Sequence, residues 1–270
     1  MYSCGYFKTP DGSLEQAQKD KLDMICRKLQ LKEGETFLDI GCGWGALICH
    51  AAQHYGAQAH GVTLSQAQFD FAQATIEHLG LQDRVTIELK DYNALEGQYD
   101  KISSIGMYEH VGIANYPAYF GKINTLLRDR GMVLNHGITR RHRASKRKRN
   151  KTKALRRFCL KYVFPGSELD DIGHTIQILE QCGFDLRDVE SWREHYALTC
   201  KHWCKNLCAN QERAIELVGK ERYRMWIAYL AVSSFGFIDG TLRIYQAVAV
   251  KQSAKGVSEQ PLTREHLYRA

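Results

Sequence analysis

Leu38-Asp39-Ile40-Gly41-Cys42-Gly43-Trp44-Gly45 joins the end of an apolar run to the start of an amphipathic one. Residues 36–40 read as a buried strand and residues 45–55 as the helix that follows. Glycines at such a junction permit a tight turn and let backbone approach a ligand closely. The spacing is G-x-G-x-G, not the G-x-G-x-x-G of dinucleotide sites, and the Gly-Lys-Ser/Thr of a phosphate-binding loop is missing. The next strand, 58–62, runs into Thr63-Leu64-Ser65 with no acid for a ribose. Asp39, just before the first glycine, suits a positively charged ligand portion. S-adenosylmethionine fits, because its amino group and sulfonium are cationic. Asp91-Tyr92, after a third strand, is where such a fold places an acid and an aromatic for adenine.

Outward from this turn, short apolar runs alternate with amphipathic stretches. Strands are predicted at 84–89, 101–105, 132–138, 185–192 and 241–250, which with the first two makes seven. Helices are predicted at 65–79, 116–127 and 168–181. Ser65 is the expected N-cap and Gly80 the stop of the first, and Asp129-Arg130-Gly131 closes the second. The alternation predicts parallel βαβ units in an α/β, doubly wound, Rossmann-like sheet. Residues 194–240 are too long for a simple connection and read as a helical insertion covering a substrate pocket. One domain is expected over 1–251, with a loose polar tail over 252–270.

The chain has 270 residues, 44% of them hydrophobic and 25% charged, which excludes whole-chain disorder. The most apolar stretch, 225–238, is too short for a spanning helix, which needs about 20 apolar residues, and contains Ser233 and Ser234. The first residues lack the basic and apolar regions of a signal peptide. Nine scattered cysteines predict free thiols in a reducing cytoplasm. Cys200, Cys204 and Cys208 share a helical face but spread over two turns, too far apart for one metal ion. The net charge of +7 is local. Residues 140–157 hold 11 Lys/Arg and no acid, and without them 26 basic residues face 30 acidic ones. Such a segment must be solvated and can attract lipid or nucleic-acid phosphates. No aromatic residues interleave the cluster, which disfavours nucleic acid.

Nine stretches occurring in order resemble the cyclopropane-fatty-acyl-phospholipid synthases and the mycolic acid cyclopropane synthases. They are Tyr2-Ser3-Cys4, LDIGCGWG at 38–45, GVTLSQAQ at 61–68, MYEHVG at 107–112, NHGI at 135–138, YVFPGSE at 162–168, HYALT at 195–199, RMW at 224–226 and IYQ at 244–246. The resemblance implies the S-adenosylmethionine-dependent methyltransferase fold and a methylene transfer to the cis double bond of unsaturated phospholipid acyl chains. It implies cofactor contacts from Tyr2, Ser3, Gly41, Cys42, Gly43, Trp44, Gly45, Thr63, Leu64, Ser65 and Gln68, with Asp39, Asp91 and Tyr92 beside them. It also implies a bound bicarbonate, with Cys4, Glu109, His136, the Ile138 backbone and Tyr196 as its ligands. The chemistry is coherent: an alkene is a poor nucleophile, so alignment against a strong electrophile matters. The resulting carbocation needs aromatic faces, exclusion of water and a base for the proton that closes the ring.

Three departures stand beside the resemblance. Relatives carry more chain before Tyr-Ser-Cys, including a helix over the cofactor, which leaves an inactive remnant as one alternative. Several have a cysteine where Ser233 stands here. The 140–157 segment is unusually basic and in a lipid enzyme would dock on anionic headgroups, at about 1 kcal/mol per basic residue. The expected partner is a phospholipid membrane surface, with the enzyme peripheral to it; a homodimer is left open. A methyl-branch product, or another acceptor such as a small amine or nucleic acid, are the remaining alternatives.

Overall fold

The computed structural model describes residues 1–142 and 153–268. Residues 143–152, most of the basic segment, lie outside the described residues. The chain opens with helix α1 (Leu14–Lys28), capped by Ser13 Oγ, which accepts from Gln16 N at 3.1 Å. The alternation then follows as β1 (Thr36–Ile40), α2 (Ala46–Tyr55), β2 (Gln58–Thr63), α3 (Gln66–His78), β3 (Val85–Leu89), β4 (Tyr99–Ile105), α4 (Tyr116–Leu126) and β5 (Leu127–Arg140). After α5 (Lys153–Tyr162) come α6 (Ile172–Gln181) and β6 (Phe184–Ser191). A helical hairpin, α7 (Arg193–Ala209) and α8 (Gln211–Ile238, kinked at Gly219), leads to β7 (Leu242–Lys251) and a short α9 (Glu265–Tyr268).

The seven strands form one sheet in the order β3-β2-β1-β4-β5-β7-β6. β1 to β5 are parallel to one another, whereas β7 runs antiparallel to both β5 and β6. The expected doubly wound sheet of parallel βαβ units is present, and β7 is its one reversed strand. The hairpin explains the reversal: α7 leads away, α8 packs back along it, and β7 starts at the end where β6 finished. The hairpin therefore stands at the carboxyl ends of the parallel strands, where open α/β sheets bind ligands.

The strands alternate as buried sheets do. Phe37, Met132, Leu134, Val248 and Val250 join α1, α2 and α3 in one core layer. Leu38, Val133, Ala247 and Ala249 join α4 and α6 in the other. A third cluster, with Cys4, Met24, Trp192 and Phe237, packs beneath the hairpin.

Four expectations are corrected. Helix α1 was not foreseen. Asp129-Arg130-Gly131 is no helix-closing turn but part of β5, where Arg130 takes φ +63° and the register against β4 shifts. The 168–181 helix begins only at Ile172: Asp171 caps it, and the Glu168 carboxylate is held by Ile113 N at 2.9 Å. The 252–270 tail is not loose, since Leu267 is buried in the third cluster, Arg264 pairs with Asp188 at 2.8 Å, and α9 packs on α1. Ser65 and Gly80 do cap and stop α3 as expected.

One glycine ties the sheet to the site. A Cβ on Gly137 would lie 1.9 Å from Cε1 of the buried Tyr108 ring. Gly137→Ala is expected to cost roughly 2–3 kcal/mol through overpacking. Thermal unfolding checks this, and an unchanged Tm would show that Tyr108 can move freely.

Candidate active site

The glycine turn is fixed by backbone before any ligand is considered. Gly41 N and Cys42 N both donate to Val62 O, at 3.0 and 2.9 Å, and Gly41, Gly43 and Gly45 all have positive φ. A Cβ on Gly45 would lie 2.8 Å from Ala72 Cβ, so this glycine lets α2 and α3 pack closely. Gly43 has no atom within 4 Å of a built Cβ and leaves open space at the turn.

That space belongs to a cavity of about 370 Å³. Of the residues expected to hold cofactor, Tyr2, Ser3, Asp39, Gly41, Cys42, Gly43, Trp44 and Gln68 line it. Gly45, Thr63, Leu64 and Ser65 do not. Thr63 acts one step back, its Oγ1 donating to Gln68 Oε1 at 2.8 Å. Asp91 and Tyr92 also lie outside the lining. Asp91 closes its own turn by accepting from Asn93 N at 2.8 Å, and Tyr92 packs edge-on against Tyr119.

The same cavity brings together Cys4, Glu109, His136, Ile138 and Tyr196. They arrive from the N-terminal segment, the turn after β4, β5 and α7. The HYALT stretch explains how the N-terminal segment is held. His195 Nδ1 accepts from Phe7 N and Thr199 Oγ1 from Gly5 N, both at 3.0 Å. Tyr2 stacks on Trp203 with ring centroids 4.8 Å apart. The YVFPGSE stretch braces the other wall, because Glu168 N donates to Glu109 O at 2.9 Å.

Burial sets the protonation of these groups. Asp39 is buried, accepts from Ser103 Oγ at 2.6 Å, and is pushed up to about 6 by desolvation. Glu109 is pushed up to about 7 for the same reason. Its Oε1 accepts from Ile138 N at 2.7 Å, while Oε2 is buried with no partner. The Ile138 amide, expected to face a ligand, is thus already taken by Glu109. His136 is pulled down to about 3 by burial, with Lys21 and Lys28 adding to the effect, and its Nε2 is also buried without a partner. Burial drives the Cys4 thiol and Tyr196 hydroxyl well above their usual ranges, so both are neutral.

Sequence reasoning missed Lys21. It projects from α1 into the cavity, 2% exposed, and donates to Ser3 Oγ at 2.8 Å. Burial pulls it down to about 8, which still leaves a cation at neutral pH. The signal was a lysine beside Leu22 and Ile25 on the apolar face of a capped helix. Tyr229 and Ser233 of α8 also line the cavity.

Known proteins share this architecture. The family model "mycolic acid cyclopropane synthetase" matches residues 1–247. A "probable fatty acid methyltransferase" of Pseudomonas putida is 41% identical over 99% of this chain and 68% of its own length. The Escherichia coli "cyclopropane-fatty-acyl-phospholipid synthase" is 36% identical over 92% of this chain, which spans only 61% of it. Among solved structures, mycolic acid cyclopropane synthase CmaA1 complexed with SAH and CTAB superposes with TM-score 0.87 at 32% identity, covering 93% of this chain and 90% of that one. The chain belongs to the mycolic acid cyclopropane synthetase family of S-adenosylmethionine-dependent methyltransferases.

The raised Glu109 carboxyl has a measurable consequence. The folded state holds its proton more tightly than the unfolded state, so its contribution to stability falls as pH rises from about 4.5 through about 7. At one pKa unit per 1.36 kcal/mol the full loss is roughly 3 kcal/mol. Relative to wild type, Glu109→Gln should gain about that much between pH 4 and pH 8 in urea unfolding. A constant difference across that range would show that Glu109 titrates normally.

Proposed function

We propose that this protein transfers a methylene group from S-adenosylmethionine to the cis double bond of unsaturated phospholipid acyl chains, closing a cyclopropane ring. The observation that carries the reading is a pair of buried, unpartnered polar atoms, Glu109 Oε2 and His136 Nε2, lining one cavity with the glycine turn. Leaving either atom unsatisfied costs about 1–3 kcal/mol, so the fold keeps them for a ligand.

S-adenosylmethionine, when bound, supplies an electrophilic methyl on a sulfonium. On this reading Asp39 balances the cofactor's ammonium and Lys21 its carboxylate, while Gln68 and the open glycine turn receive the ribose side. Bicarbonate, when bound, supplies a small oxyanion able to take a proton. Glu109 Oε2, His136 Nε2 and the Tyr196 hydroxyl would hold it, and the two unpartnered atoms fit such a group. Tyr196 and Phe237 pack as a tilted pair with ring centroids 4.7 Å apart, and with Phe164 and Tyr229 they give the cavity the aromatic faces a carbocation needs. Among the described residues no helix is long and apolar enough to cross a membrane. On this reading the acyl chain is drawn from a bilayer surface by an enzyme peripheral to it on the cytoplasmic side. The similarity to a probable fatty acid methyltransferase of Pseudomonas putida favours a second reading, a methyl branch in place of a ring.

The deciding experiment incubates the protein with S-adenosylmethionine and vesicles of cis-unsaturated phospholipid, with and without bicarbonate. Acyl chains that gain one CH₂ and lose the double bond are expected, and Glu109→Gln should lower the rate by about 10²-fold. Gain of carbon with the olefin retained would select the branching reaction; no gain despite cofactor binding would overturn both. Lys21→Met should weaken S-adenosylhomocysteine binding by about 10- to 100-fold in calorimetry, the worth of one charged hydrogen bond. Equal affinity would remove Lys21 from the cofactor site.

A further inference from the structure

His136 does not stand alone in β5. The register sets it opposite Gln246 of β7, and Gln246 opposite Glu190 of β6. Lys28, from the last turn of α1, closes over this row. Its Nζ bonds the Glu190 carboxylate, which also accepts from Trp192 Nε1 at 2.8 Å. The same Nζ lies 2.7 Å from Gln246 Oε1, and Gln246 Nε2 lies 3.0 Å from His136 Nδ1. Lys28, Gln246 and His136 are at most 2% exposed, so solvent offers them no alternative partners.

The donor inventory allows one solution. An ammonium only donates, so the Gln246 amide must turn its oxygen to Lys28. Its NH₂ then faces His136, and an amide NH₂ only donates. Nδ1 must therefore accept, which leaves the ring proton on Nε2, the buried atom without a protein partner. We propose that Lys28 and Gln246 are positioning residues that lock His136 in the Nε2–H tautomer, so that it offers the cavity a hydrogen-bond donor for an oxyanion and not a base. The oxyanion role rests on the proposed function; the tautomer does not. The low pKa of His136 agrees, because a ring that resists a second proton stays in this neutral form.

Two-bond ¹H–¹⁵N spectra of the full chain with labelled histidine read the tautomer directly, with His136→Gln assigning the signal. Wild type at neutral pH is expected to show a protonated Nε2 and a lone pair on Nδ1. Gln246→Glu places a group that only accepts beside Nδ1 and should move the proton there. The bicarbonate concentration for half-maximal methylation should then rise about 10-fold or more, with a smaller change in maximal rate. A wild-type spectrum with Nδ1 protonated overturns the proposal whether or not the variant folds, as does an unchanged pattern in a folded Gln246→Glu. A wild-type enzyme with the expected tautomer but no bicarbonate dependence would defeat the proposed function and leave the tautomer lock standing.

Discussion

Strand β7 enters the sheet against the direction of both its neighbours, and the contents of the cavity depend on that reversal. Its register brings Gln246 between His136 and Glu190, three polar residues in one row across β5, β7 and β6. The hairpin that causes the reversal is the element that carries Tyr196, Tyr229 and Phe237 to the cavity. A parallel seventh strand would need its connection to cross to the far end of the sheet. The aromatic wall would then leave the carboxyl ends of β1, β4 and β5, where the glycine turn and Glu109 are.

Enclosing this row and the cavity takes several ionisable groups out of water, which opposes stability unless each is paired or neutral. The protein uses both remedies. Lys28 and Glu190 pair, and each is steadied by a second hydrogen bond, to Gln246 and from Trp192. Asp39, Glu109 and His136 shift toward their neutral forms. Lys21 does neither fully: its hydrogen-bond partners are the neutral Ser3 Oγ and Met1 Sδ, and it remains a cation. A buried cation with neutral hydrogen-bond partners, helped only by the charge of Asp39, is costly, so the site is preorganised for an anionic group at the expense of stability.

Much of this was legible in the sequence. Three glycines after a strand located the turn, and the order of strands and helices gave the doubly wound sheet. The resemblance brought Cys4, Glu109, His136 and Tyr196 into one cavity, as the structure does. What was not legible has a common physical origin. Helix α1 hides its apolar face among lysines, two of which, Lys21 and Lys28, are buried because of partners far away in sequence. The direction of β7 depends on how two helices pack, not on the alternation within the strand. The Ile138 backbone was expected to hold an ion, yet its amide already donates to Glu109, 29 residues earlier. Long-range hydrogen bonds of this kind leave no periodic mark.

A carbocation intermediate, as the proposed reaction requires, would be captured by any strong nucleophile beside it. The cavity is lined by four thiols, Cys4, Cys42, Cys159 and Cys200, and three phenols, Tyr2, Tyr196 and Tyr229. As thiolate or phenolate each would be a competitor for the cation, since the thiolate and not the thiol is the nucleophile. Desolvation raises all seven, Tyr2 and Cys200 to about 12, so their anions are scarce at neutral pH. The same burial leaves His136 unprotonated, yet a lone pair on its cavity-facing nitrogen would itself be nucleophilic. The Gln246 amide removes that hazard by holding the lone pair on Nδ1, away from the cavity. One row of hydrogen bonds across three strands thereby both supplies a donor to an oxyanion and withholds a nucleophile from a cation.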